Sequence, residues 1–260
     1  MSDYDVVPFA REREIVVDAG YLGSGRHIIY GLAEVDVTRA REILRGIAPA
    51  NGPPLSFTAF IVSSLSRAIE AHPQVQAYRD WRRRLVVFHD VDVVTMVEHQ
   101  PGTVAIPHIV RQANRKTIQE ISDEIKLIKT HPEHSGQHGG LLSLAPKVPR
   151  FLRLLFFWVI KKNPEWFKRL EGTVVVTSVG MFAKGGLWGL GFLPTHTMGL
   201  TVGGISRKPG VHEGSISIRD YVYLTIAFDH DIVDGAPASR FGYTLVDTIE
   251  KAVVLENVRA

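Results

Sequence analysis

The feature that most constrains this chain is its end-to-end alternation of short β-branched or aromatic runs with amphipathic segments of helix length, joined by short turns. Leu85 to Phe88, Val91 to Val97, Thr173 to Thr177, Leu200 to Ile205, Ile216 to Ile218 and Tyr221 to Ala227 all have strand length and strand composition. Together they predict a sizeable mixed sheet. Phe57 to Ala71 predicts a helix that stops at His72-Pro73, because proline disfavours helical backbone in the residue before it. Thr117-Ile118-Gln119-Glu120 is a capping box, and Ile118, Ile121, Ile125 and Ile128 follow at helical spacing. Ala236 to Val254 predicts a closing amphipathic helix. No Pro/Ser-rich linker, internal repeat or low-complexity tract divides the chain, so residues 1–260 are expected to form a single α/β domain.

One stretch departs from the pattern. Residues 136–169 read as an irregular apolar insertion, with Phe151 to Ile160 interrupted only by Arg153 and followed by Lys161, Lys162, Trp166 and Phe167. As a helix it would be apolar nearly all round, which predicts burial. An additional piece of core or subunit interface, a membrane-surface anchor and the wall of a pocket for a long hydrocarbon chain are the three alternatives, with the interface preferred.

Composition excludes several chemistries. Without cysteine there are no disulfides, thiolate nucleophiles or Cys-based metal sites. Lys plus Arg total 30 against 27 acidic residues, so a net charge of +3 argues against nucleic-acid binding, and Arg82-Arg83-Arg84 reads as a solvated turn. His131, His134 and His138 have ligand-like spacing among glycines but lack a completing Asp or Cys, so a solvated loop and no metal site are expected. Gly180 to Gly186 lacks the Gly-Lys-Ser/Thr ending of a nucleotide loop. The start of the chain lacks a basic and apolar leader and no run is long enough to span a bilayer, giving the expectation of a cytoplasmic protein without membrane attachment.

The residues that carry chemistry lie between the last strand and the last helix. His230 and Asp234, with Gly235 to turn the chain, combine an imidazole that titrates near working pH with a carboxylate able to orient it. Alone, that spacing equally describes a satisfied histidine in a turn. Its setting, Phe228-Asp229-His230-Asp231-Ile232-Val233-Asp234-Gly235-Ala236, resembles the Asp-His-Arg-x-x-Asp-Gly-Ala signature of the acyltransferase components of 2-oxo acid dehydrogenase complexes, relatives of the chloramphenicol acetyltransferases. Asp231 stands where that family has arginine. Glu34 to Thr38, Leu55 to Phe60, Gly102 to Arg111 with its following capped helix, and Gly172 to Gly180 resemble further family segments in the same order.

The resemblance implies a chloramphenicol acetyltransferase-like two-layer fold, a mixed sheet packed with helices. It implies direct acyl transfer from coenzyme A, with His230 as general base toward a thiol, hydroxyl or amine. Thr177 takes the family's oxyanion-serine position, with Ser178 as the alternative, and Asp234 holds the loop by pairing with a distant arginine, for which Arg26 is a candidate. A homotrimer is implied, its active site between subunits, as is a larger cage in some relatives. Because the resemblance begins within the first ~35 residues, no lipoyl group is expected on this chain. A free-standing acyltransferase is preferred, acting on a small-molecule acceptor or on a separate lipoyl-domain protein. The alternatives are a core subunit served by lipoyl domains on another chain and a non-catalytic scaffold.

Overall fold

The computed structural model describes residues 3–9, 13–47, 54–97, 105–136, 148–180 and 185–258. His138, Gly139-Gly140, Gly102 to Val104 and Met181 to Lys184 lie outside the described residues. Six strands form one mixed sheet: β1 (Ile28–Asp36), β4 (Val93–Val97), β5 (Ile106–Val110), β6 (Val174–Ser178), β7 (Met198–His212) and β8 (Ser215–Asp229), in the order β1-β8-β7-β6-β4-β5. Strands β7, β6 and β4 run parallel, and the remaining neighbours antiparallel. A separate small ladder pairs β2 (Tyr78–Arg79) with β3 (Leu85–Val86). Between them Arg83 adopts φ 63° and Arg84 returns to Asp80, so the arginine run is indeed a turn.

Strand alternation sorts the sheet's two faces. Val174 and Val176 on β6, Met198, Leu200 and Val202 on β7, and Val222, Leu224, Ile226 and Phe228 on β8 enter one core. Four helices close over it: α2 (Thr38–Gly46), α3 (Phe57–Ala71), α4 (Ile118–Thr130) and the last long helix, Gly235–Glu250. Phe60, Leu65, Ile121, Phe241 and Leu245 are fully buried here, each stabilising the fold by roughly 1.5–3 kcal/mol relative to exposure. The predicted α3 appears with Ser56 as its N-cap, and the Thr117 capping box is present in both directions.

Two expectations change. Ile216 to Ile218 and Tyr221 to Ala227 belong to one strand, because Asp220, which breaks the apolar pattern between them, is bonded to Arg41 at 2.6 Å and to Arg207 at 3.1 Å. The ladder therefore continues through a polar residue. The second change concerns residues 150–162, which form a helix as expected, α5 (Arg150–Lys162), without burying its apolar circumference. Arg153 is buried instead: its Nε donates to Asp18 at 2.6 Å, and Arg150 donates to the same carboxylate at 3.0 Å. Asp18 lies on α1 (Arg13–Gly23), and the two helices pack through this charge cluster. A buried ion pair outweighs apolar symmetry in orienting α5, leaving Phe151, Leu155 and Trp158 exposed on this chain. The following helix, α6 (Pro164–Glu171), is capped by Asn163 and leads into β6. Among the described residues no helix is long and apolar enough to cross a membrane.

Asp18→Ala leaves the Arg153 guanidinium buried without its main counter-charge. The expected result is a loss of about 3–5 kcal/mol in urea unfolding, with faster limited proteolysis within residues 150–171. A variant as stable and as resistant as the wild type would show that α5 is held by other contacts.

Candidate active site

Strand β8 ends at Asp229, and the backbone there is gripped from both sides. Asp229 N–H donates to the Thr197 carbonyl at 2.9 Å and His230 N–H to the His27 carbonyl at 2.7 Å. The next turn is closed by Ile232 and Val233 N–H groups on the Asp229 carbonyl, both at 3.0 Å, and Val233 is anchored in the core. Asp234 is the N-cap of the closing helix, which we number α7 (Gly235–Glu250), and Ala238 N–H donates to its carbonyl at 3.0 Å. The His230 side chain thus leaves a pinned loop and stays half exposed, its Nδ1 4.0 Å from Asp234 Oδ1. At that separation the carboxylate acts on the imidazole through charge rather than a hydrogen bond.

The arginine assignment needs correction. Arg26 bonds Asp229, not Asp234: its Nε donates to Asp229 Oδ2 at 3.1 Å, and both side chains are buried. Asp229 emerges on the opposite side of β8 from Phe228 and meets the segment entering β1, whereas Asp234 has turned outward with α7. Asp231, the position occupied by arginine in the signature, accepts a 2.9 Å hydrogen bond from His27 Nδ1. That bond holds the His27 imidazole above its ordinary pKa and Asp231 below its own.

Thr177 is placed elsewhere. It lies on β6 with its side chain on the face opposite the helical layer, whereas Ser178 alternates toward the helices. The strand end is fixed by glycine: a Cβ on Gly180 would sit 2.0 Å from the Gly203 carbonyl oxygen, where β7 carries a register shift between Val202 and Ile205. Cross-strand register puts Thr177 level with Thr201 and Thr201 level with Thr225, five residues before His230. At ~3.3 Å per residue and ~4.8 Å per strand, His230 is roughly 16 Å along and 10 Å across from Thr177. One chain brings His230 to Asp234 and keeps both away from its own Thr177.

Thr177 opens onto a cavity of about 470 Å³ between the sheet face, α1, Phe157 of α5 and residues 189–196. Glu171 and His196 line it and were not distinguishable in the sequence from ordinary helix-end and core residues. Burial pushes Glu171 up to about 7. Burial likewise pushes His196 down to about 4, although its Nε2 donates to the Glu171 backbone carbonyl at 2.7 Å. His131 and His134 stack with ring centroids 5.6 Å apart, and no metal-holding cluster occurs among the described residues.

Residues 27–136 and 167–256 match the family of 2-oxoacid dehydrogenase acyltransferase catalytic domains. The chain belongs to that family. A relative from Corynebacterium glutamicum, the dihydrolipoyllysine-residue acetyltransferase component of its pyruvate dehydrogenase complex, is 26% identical over 230 residues, 85% of this chain and 30% of its own length. The chain spans less than half the length of the curated relatives it matches. Among solved structures, the dihydrolipoamide acetyltransferase of Azotobacter vinelandii superposes with a TM-score of 0.72 at 16% identity, covering 97% of this chain and 94% of that one. A chloramphenicol acetyltransferase superposes with a TM-score of 0.53 at 14% identity, covering 96% of this chain and 98% of that one. These likenesses establish the expected chloramphenicol acetyltransferase-like fold. Helices α1 and α5 lie outside the residues that match the acyltransferase family.

Buried His196 and partly buried Glu171 predict an unusual pH dependence. Between its ordinary 4.5 and about 7, folded Glu171 keeps a proton that the unfolded chain releases, so its contribution to stability falls as pH rises. Between about 4 and its ordinary 6.5, folded His196 refuses a proton that the unfolded chain takes, so its contribution rises. Where the windows overlap the two oppose each other. Glu171→Gln should therefore gain a few °C in melting temperature relative to wild type on going from pH 5 to pH 7.5. Parallel melting profiles for the two proteins would rule out a protonated Glu171.

Proposed function

We propose that this chain is a coenzyme A-dependent acyltransferase in which His230 is the general base, Asp234 orients and electrostatically supports its imidazolium, and Thr177 donates to the oxyanion. The observation that carries the reading is the pinned His230 loop beside Asp234, in a chain of the acyltransferase family whose strand β6 presents a hydroxyl to a cavity. With the Nδ1 proton facing Asp234, Nε2 is the basic nitrogen. It takes the proton from the acceptor thiol as sulfur attacks the thioester carbonyl carbon, forming the new carbon–sulfur bond. The carbonyl oxygen gathers negative charge, which the Thr177 hydroxyl stabilises. Collapse breaks the bond to the coenzyme A sulfur, and the imidazolium returns its proton to that leaving thiolate. No acyl-enzyme forms, and no metal takes part.

The family resemblance implies a homotrimer with shared sites, in which His230 of one copy meets Thr177 of the next, and the separation of the two half-sites within one chain supports that reading. The edge strand supports this arrangement: Tyr30 and Leu32 on β1 and Tyr243 on α7 are exposed apolar side chains bordering one groove. The acceptor is a free thiol or a lipoyl group carried by a separate protein. The names of the curated relatives favour a second reading of the same chemistry, as the core subunit of a dehydrogenase complex.

His230→Ala is expected to lower acyl transfer to a dithiol ~100-fold to 10,000-fold, and Thr177→Val ~100-fold to 1,000-fold. Mixed oligomers of the two inactive variants should recover activity, because some interfaces then pair an intact His230 with an intact Thr177. A fully active His230→Ala variant would reject the mechanism, and a fully active monomer would reject the shared site.

A further inference from the structure

The cavity beside Thr177 is larger and more apolar than an acetyl group requires, and much of its wall lies in α1 and α5, outside the family match. Ile15, Val16, Ala19 and Leu22 come from α1 and Phe157 from α5. The sheet supplies Val94, Met96 and Val175 as a floor. Along β6 and the residue just after it the lining runs through Val175, Thr177 and Val179, about 13 Å of extended chain, so the space is a trough along the sheet rather than a round pit.

The opposite wall, residues 189–193, presses close to the floor because glycines permit it. A Cβ on Gly191 would lie 2.1 Å from Thr201 Oγ1, and one on Gly189 would lie 2.5 Å from Val179 Cγ2. Leu190 and Phe192 then flank the trough. Beyond Val175 the trough reaches Glu171 and His196. Burial disfavours the charged form of both.

From this juxtaposition we propose that the trough is an acyl-chain site, and that the thioesters this protein takes carry a linear aliphatic chain of medium length. The carbonyl sits at Thr177 and the hydrocarbon extends past Val175 beneath α1 and Phe157. The inference rests on the reading of Thr177 as the oxyanion donor, which commits the trough to the chain attached to that carbonyl. It assigns α5 two roles: the Arg153–Asp18 pair fixes the helix on α1, and Phe157 closes the trough.

The test is calorimetric titration of the full chain with saturated acyl-CoAs from acetyl to dodecanoyl, repeated with Ala19→Phe and Phe157→Ala. Wild-type affinity should tighten by up to roughly fourfold per added methylene until the trough is filled. Ala19→Phe, which fills the trough from α1, should shrink the gain between acetyl- and decanoyl-CoA at least tenfold. Phe157→Ala, which lengthens the trough, should move the best-bound chain to a longer one. Equal affinity across the series, or a chain-length gain that neither variant alters, overturns the proposal. Dissociation of the assembly by Ala19→Phe with no change in chain preference also overturns it, because the trough would then receive a neighbouring copy. Binding and transfer fail separately. A chain-length series without transfer to any thiol acceptor rejects the proposed function and leaves the trough standing, whereas transfer without chain preference does the reverse.

Discussion

The backbone ladder of β8 is the constraint on which the rest of this structure depends. It pairs with β1 from Asp36 to Ile28 on one side and with β7 on the other, so the last strand of the chain is also an interior strand. Central placement fixes which of its residues face the helices, because a slip of one residue would exchange Leu224, Ile226 and Phe228 for Thr225, Ala227 and Asp229. The same ladder delivers His230 to the edge of the domain. Its amide is held by His27, its predecessor by Thr197 and Arg26, and the following turn by Val233 in the core. The proposed base, which protrudes into solvent, is thereby positioned by groups that do not.

Much of the fold was legible because its signals are local. The Phe57 to Ala71 helix announces itself by its apolar face and a stopping proline, and the Ile118 helix by a capping box that closes within four residues. What was not legible depends on distant partners. The continuity of β8 across Arg219 and Asp220 rests on Arg41 and Arg207, and the orientation of α5 on Asp18, more than a hundred residues earlier in the chain. An apolar helix with one arginine reads as a helix to bury, arginine outward. The buried carboxylate on α1 inverts that reading, and α1 itself carried no clear periodic signal in the sequence.

The site divides the same way. His230 and Asp234 could be picked out as candidates by type and spacing in a strand–turn–helix context, and Thr177 as a candidate by its place in the family resemblance. Partner choice could not. Arg26 is equally able to serve either aspartate until the twist at the end of β8 turns Asp229 toward it and Asp234 away. Asp231 makes sense once His27 is seen opposite: the negative charge that stands in place of the signature arginine has acquired its own imidazole. Glu171 and His196 left no trace in the sequence because their unusual protonation comes from burial, not from a motif.

The separation of the two half-sites also bears on the exposed apolar surface. A single chain that carried base and oxyanion donor in one pocket would need no neighbour, and its exposed Tyr30, Leu32, Phe151, Leu155 and Trp158 would be an unrelieved liability. On the proposed shared-site reading, the same residues are surface whose burial drives association, and association completes the site. Stability and catalysis are then coupled through one equilibrium, since whatever weakens the contact between copies also separates His230 from the hydroxyl it works with. That coupling gives α5 its significance: anchored by Arg153 and Asp18, it faces the trough with Phe157 and offers Phe151, Leu155 and Trp158 outward, so one helix sits between what the site holds and what surrounds the molecule.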